Sequence, residues 1–123
     1  LEAFLGTSRL LATNSCTSAL HLALHLVHGQ RAEGPQAEVI APPNTCIAVA
    51  SAAFHTGYKI RWCDIELDTF NINLDLVPKL LNENTKAVIV PYFCGTPVKL
   101  NRLYNILRRH YNITGKVVRV IED

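Results

Sequence analysis

The sequence predicts an α/β protein built on a mainly parallel sheet with helices packed on it. Strand-like apolar runs alternate with helical patterns along the 123 residues. The runs are rich in β-branched residues, as in KAVIVPY and KVVRVIE, which is typical of strands buried on both faces. Regular alternation of strand and helix implies right-handed βαβ units around a parallel sheet.

The elements follow from these patterns in chain order. Strands are expected at residues 9–13, 38–42, 59–65, 86–92 and 116–122, and helices at 17–28, 45–56, 74–83 and 99–111. The opening LEAFLG resembles the last turn of a helix that Gly6 stops, and Gly29 is the expected stop of the helix at 17–28. Because the chain has no Met and ends on a strand residue, we expect a piece of a larger protein.

The segment 12–24 is the most informative part of the chain. It begins at the end of an expected strand, continues with a run of polar residues and then enters an expected helix. Ser15, Thr17 or Ser18 can cap that helix. Free N–H groups and the dipole at such a helix start bind phosphate or another anion. The alternative is a well-capped crossover helix that binds nothing.

The expected strands all end in polar or turn-forming residues. These lie at 14–16, 42–45, 93–97 and 122–123. Since ligands collect at the carboxyl edge of an open α/β sheet, the sequence predicts a site in which Thr17 and Ser18 face Asp123.

Composition excludes several classes of protein. A net charge of +2 argues against a nucleic-acid surface, and no apolar run or leader indicates a membrane span or secretion. The four cysteines lie 30, 17 and 31 residues apart without a CxxC pair, so we expect reduced thiols in a cytoplasmic protein.

No metal site is expected. His21, His25 and His28 share a helical face but lack a further ligand, so a polar stripe between helices is favoured. The alternating acids Asp64, Glu66 and Asp68 could suggest a cation site, but a structural turn is preferred. Trp62 is expected in the core rather than stacked on a cofactor.

Five motifs in register carry a family resemblance. They are TNSCTSALHLAL (13–24), EVIAPPNTCIAVASA (38–52), CDIELDTFNIN (63–73), NTKAVIVPYFCGTP (84–97) and VIED (120–123). Together they resemble the DegT/DnrJ/EryC1/StrS sugar aminotransferases, which are fold-type I enzymes dependent on pyridoxal 5'-phosphate (PLP). The resemblance implies that residues 1–123 form part of the PLP-binding large domain, a three-layer α/β/α unit.

The resemblance also implies roles for single residues. Thr17 and Ser18 correspond to positions that hold the cofactor phosphate, and Asp123 to the acid that pairs with the pyridine nitrogen. Cys16 stands where the family has Gly, so the phosphate loop is expected to shift slightly. Cys46 replaces an aromatic ring that stacks on PLP, or is an ordinary buried thiol, and Tyr92 replaces a usual His.

No catalytic residue is assigned in this chain, because the family's Schiff-base lysine lies in a segment expected beyond Asp123. The implied function is transfer of an amino group, from glutamate as the expected donor, to a nucleotide-linked keto-sugar. Surface polysaccharide or aminosugar biosynthesis would use the product, and a homodimer is expected. The alternative is a catalytically inactive homologue or fragment that serves as a structural or assembly module.

Overall fold

A computed structural model describes residues 2–28 and 37–123 and confirms the α/β class. The helices are α1 (Glu2–Leu5), α2 (Cys16–His28), α3 (Ile47–His55), α4 (Val77–Leu80) and α5 (Leu100–Thr114). The strands are β1 (Glu38–Ala41), β2 (Lys59–Trp62), β3 (Thr85–Val90) and β4 (Arg119–Glu122). A short 3-10 turn, Phe93–Gly95, follows β3.

The four strands form one parallel sheet in the order β2-β1-β3-β4. Val39 of β1 pairs with Ile60 of β2 on one side and with Ala87 of β3 on the other. Because all four strands run in the same direction, their carboxyl ends lie at one edge of the sheet. The loops that follow them therefore share that edge.

The sheet separates two hydrophobic cores. Side chains alternate between the faces of a strand, so Val39 and Ala41 join one core while Ile40 joins the other. The first core also holds Leu20 and Leu24 of α2 and buried residues of α3, and the second holds Leu103, Leu107 and Val77 from α5 and α4. The two cores make the fold a three-layer α/β/α arrangement, as predicted.

The strand predicted at residues 9–13 is wrong. Those residues form no strand and are exposed, and Leu11 leaves 69% of its surface open. A strand needs a neighbour for its N–H and C=O groups, and within the described chain the sheet ends at β2 and β4. Three consecutive apolar residues were too weak a signal.

Two further expectations need correction. Trp62 is 49% exposed rather than in the core, because β2 is an edge strand and Trp62 is its last residue. The helix predicted at 74–83 shrinks to α4. Side chains of Asn73 and Asn82 accept hydrogen bonds from the backbone two residues on, and such Asx turns compete with helix at both ends.

Other boundaries shift by a few residues. Gly6 follows α1 with φ +64 and so acts as the predicted stop, whereas the stop predicted at Gly29 lies outside the described residues. β4 begins at Arg119 rather than at 116, after α5 has run on to Thr114. In the ranges 2–28 and 37–123, the helices are too short or too polar to cross a bilayer.

Candidate functional site

The start of α2 is capped by Ser15. Its hydroxyl oxygen accepts a hydrogen bond from the Ser18 N–H at 3.1 Å, and its carbonyl accepts one from the Ala19 N–H at 3.1 Å. Of the three possible caps, Ser15 is therefore the one that α2 uses. The cap fixes where the helix begins and which N–H groups stay free.

The free groups belong to Cys16 and Thr17. Within the described residues neither backbone N–H meets an acceptor. Ser18, in contrast, donates its N–H to the Ser15 hydroxyl oxygen and its own hydroxyl to Asn14 Oδ1 at 2.8 Å. The first turn also carries no acidic side chain. The start of α2 thus offers an anion two unpaired donors at the positive end of the helix dipole.

Asp123 is held at the carboxyl end of β4. Its N–H donates to the Val90 carbonyl and its carbonyl accepts from the Tyr92 N–H, both at 3.0 Å. These bonds continue the pairing of β3 with β4 by one step. They fix the backbone from which the Asp123 side chain projects.

The start of α2 and Asp123 meet at the same edge of the sheet. The Cys16 thiol donates a hydrogen bond to Asp123 Oδ1 at 2.9 Å. Four effects raise the pKa of the Cys16 thiol above its ordinary value: first this hydrogen bond, then burial, then the charge of Asp123 and last the charge of Cys46. The helix start predicted to bind an anion and the acid predicted to bind a ring nitrogen are therefore neighbours.

Cys16 does not strain the backbone where the family has Gly. Phe70 and Cys94 are the two residues other than glycine with positive φ in the described chain, so position 16 adopts a conformation open to any side chain. Glycine's extra freedom is not needed here. The expectation that Cys16 shifts the loop finds no support in its backbone.

Cys46 lies at the N-cap position of α3, in extended conformation, and makes no capping hydrogen bond. Its side chain is exposed, so the interpretation as an ordinary buried thiol is wrong. The charge of Cys46 is the smallest of the causes that raise the pKa of the Cys16 thiol. All four cysteines are free thiols, as expected.

Tyr92, at the usual histidine position, binds the strand next to it. Its hydroxyl donates to Glu122 Oε2 at 2.5 Å, and this bond is the main cause that raises the pKa of Tyr92 to about 12. Glu122 thus faces Tyr92, while its neighbour Asp123 faces α2. The two adjacent carboxylates have different partners.

A buried amide that was not predicted from the sequence joins two loops at this edge. Asn71 is 4% exposed, donates to the Thr96 carbonyl and accepts from the Phe93 N–H, both at 2.9 Å. Asn44 reaches the same region by donating to the Phe70 carbonyl at 3.5 Å. An Asn inside the motif DTFNIN was the available signal, but its partners come from a distant segment.

The histidine and acidic residues considered as metal ligands include His21 and Asp64, and both make structural contacts. The His21 ring stacks on His55 of α3, with ring centroids 5.6 Å apart. Asp64 accepts bonds within the turn that follows β2, from the N–H groups of Ile65 and Asn73, as the structural interpretation predicts. In the described part of the chain, no three His, Cys, Asp or Glu side chains gather as metal ligands.

Comparison with known sequences decides the family. The sequence model of the DegT/DnrJ/EryC1/StrS aminotransferase family matches residues 1–123. The chain belongs to this family. Among its relatives, the spore coat polysaccharide biosynthesis protein SpsC of Bacillus subtilis is 33% identical over 108 residues, which is 88% of this chain and 27% of SpsC.

Solved structures of sugar aminotransferases are similar to this chain. The sugar aminotransferase CalS13 from Micromonospora echinospora superposes with a TM-score of 0.89 at 32% identity, covering 99% of this chain and 32% of CalS13. The PLP form of Spr1654 from Streptococcus pneumoniae gives a TM-score of 0.72 at 32% identity, covering 80% of this chain and 24% of Spr1654. The chain thus spans 24% to 32% of the length of these relatives.

Proposed function

We propose that the full protein is a PLP-dependent aminotransferase acting on a sugar, and that residues 1–123 form part of its PLP-binding large domain. The hydrogen bond from Cys16 to Asp123 carries the proposal, because it joins an anion-binding helix start to a carboxylate. PLP has a phosphate at one end and a ring nitrogen in the ring plane. The site offers one partner suited to each.

The phosphate would lie at the start of α2, on the N–H groups of Cys16 and Thr17 and the Thr17 hydroxyl, with Ser18 completing the turn. Asp123 would hold the proton on the ring nitrogen. Bound PLP supplies an electron sink that depends on this proton. Cys46, at the position of the stacking ring, would cover less of the cofactor face than an aromatic residue.

The finer assignments rest on the family. We propose that the substrate is a nucleotide-linked keto-sugar and that glutamate is the amino donor, since the relatives include a sugar aminotransferase and a polysaccharide biosynthesis protein. The nucleophilic lysine is proposed to lie in the full protein beyond Asp123. The four free thiols favour the cytoplasm as its location.

The deciding experiment compares Asp123→Asn with wild type in the full-length protein. The neutral amide cannot keep the ring nitrogen protonated, so turnover should fall by orders of magnitude while PLP binding survives through its phosphate. Turnover is measured as amino transfer from glutamate to a nucleotide-linked keto-sugar, and PLP binding as visible absorbance after gel filtration.

Glu122→Gln is the matched control. It neutralises the adjacent carboxylate, which accepts from Tyr92, and should leave turnover near that of wild type. Normal turnover by Asp123→Asn would remove Asp123 from the site. A wild-type protein that binds no PLP would favour the inactive structural homologue, which the exchange of an aromatic ring for Cys46 also suits.

A further inference from the structure

The Cys16 thiol is the one group in the described chain that donates to the Asp123 carboxylate. The bond runs from Sγ to Oδ1 at 2.9 Å and joins residues 107 positions apart. Across residues 2–28 and 37–123, no N–H or O–H group donates to the other oxygen, Oδ2. The carboxylate therefore has one oxygen occupied by the protein and one available to a ligand.

Both partners are held by bonds independent of this one. The Ser15 cap fixes the first turn of α2, where Cys16 lies. Two backbone hydrogen bonds fix Asp123: its N–H donates to the Val90 carbonyl of β3, and its carbonyl accepts from the Tyr92 N–H. The thiol thus reaches the carboxylate from one rigid element to another, which is how a positioning contact must be built.

We propose that Cys16 is a positioning residue for Asp123, with its thiol holding Oδ1 so that Oδ2 faces the ring nitrogen of PLP. This inference rests on the proposed function, since it takes the ring nitrogen as the partner of Asp123. It adds a role to a side chain that the family's usual glycine cannot supply. A carboxylate that is oriented and stays ionised is what a protonated ring nitrogen needs.

The contact has a signature that needs no cofactor. The pKa of the Cys16 thiol is raised, first by its bond to Asp123, and the titratable groups that act on it are Asp123, directly after β4, and Cys46, at the N-cap of α3. Removing the Asp123 charge should therefore lower the thiol pKa. A thiol that did not contact Asp123 would respond far less, since the hydrogen bond is the largest cause of the raised pKa.

The first arm uses full-length protein freed of PLP. Iodoacetamide alkylation of Cys16 is followed by peptide mass spectrometry between pH 7 and pH 10 in wild type, Asp123→Asn and Glu122→Gln. Asp123→Asn should shift the alkylation profile of Cys16 to lower pH, while Glu122→Gln should match wild type. Exposed Cys94 serves as a reference, and slow alkylation of buried Cys63 shows that each variant is folded.

The second arm measures PLP affinity and turnover in Cys16 variants of the same protein. Loss of one hydrogen bond to a charged group in Cys16→Ala should weaken PLP binding about threefold to tenfold and lower kcat with KM for the sugar unchanged. Cys16→Ser keeps a donor and should restore both. Cys94→Ser, at an exposed thiol, is the matched control.

The outcomes separate the two claims. An alkylation profile of Cys16 that ignores Asp123→Asn overturns the inference, and so does a Cys16→Ala protein with wild-type affinity and kcat. If Asp123→Asn exposes Cys63 and so fails to fold, the Cys16→Ala and Cys16→Ser pair decides alone. A wild-type protein that binds no PLP overturns the proposed function, and the positioning role falls with it.

Discussion

At the scale of the residue, the Thr17 N–H and hydroxyl meet no partner among the residues that the structure describes, whereas Ser18 is bonded within the helix cap. Thr17→Ala should weaken PLP binding by roughly 1 kcal/mol, about fivefold in Kd, because one hydroxyl donor is lost. Equilibrium dialysis of the full-length protein measures this. Thr17→Ser keeps the hydroxyl and serves as control, and equal affinities for all three proteins would take the phosphate away from Thr17.

The buried thiol of Cys63 has a pKa that reflects its position in the core. Burial is the main cause that raises its pKa to about 11 from 9.0. Because the folded-state value lies above the unfolded one, the protonated thiol stabilises the fold below pH 9, and this contribution is lost as the pH rises through about 11.

Cys63 should therefore resist alkylation at pH 8 in the folded full-length protein and react only when the pH approaches 11 or the protein unfolds. Peptide mass spectrometry of alkylated samples measures the rate, with exposed Cys94 as the control thiol. Equal rates for the two cysteines at pH 8 would show that Cys63 is not buried.

At the scale of the element, the cap decides how α2 begins. Ser15→Ala removes the acceptor of the Ser18 N–H and should cost about 1 kcal/mol of helix stability. Hydrogen exchange of the α2 amides in the full-length protein measures this locally. Ser8→Ala, at an exposed serine outside the helices, is the control, and unchanged exchange in Ser15→Ala would assign the cap to another residue.

The loops that follow the strands form a second kind of element. Asn71 supplies hydrogen bonds that the loop after β3 cannot make for itself, since its partners are the Phe93 N–H and the Thr96 carbonyl. The positive φ of Cys94, at +50°, lies within that turn. The loop after β3 is thus held by a buried amide in addition to the hydrogen bonds of its own 3-10 turn.

At the scale of the whole molecule, the two cores should respond alike. Leu24 and Leu103 are fully buried on opposite faces of the sheet, so truncating either to Ala leaves a cavity and should cost about 2–5 kcal/mol. Leu67→Ala, at a side chain 83% exposed, should change stability by less than about 0.5 kcal/mol. Urea unfolding of the full-length protein checks this, and a harmless Leu103→Ala would contradict the second core.

Large apolar side chains remain exposed on this chain. Among them are Phe4, Leu11, Leu26, Ile47 and Phe54. Apolar side chains as exposed as these are available to be covered by other parts of the full protein or by a partner. We expect the full-length protein to be a homodimer, and light scattering at micromolar concentration would contradict this by finding a clean monomer.

Local patterns were enough for much of the fold. The β-branched runs predicted β1 to β4, and 3.6 spacing predicted α2, α3 and α5, because burial on two faces or on one stripe leaves a periodic trace in the chain. The strand predicted at 9–13 is absent, because a strand depends on a neighbouring strand that no local pattern can reveal. The prediction that Trp62 lies in the core was wrong for the same reason, because its exposure follows from the position of β2 at the edge of the sheet.

The sequence by itself determined the family and the α/β class and predicted the residues of the candidate site, because motif order and hydrophobic period are properties of the chain. The tertiary structure alone decided that Cys16 binds Asp123, that Cys46 is exposed, and that Asn71 joins two loops. These contacts join segments far apart in the chain. Their distances depend on how the strands order in the sheet, which no local pattern specifies.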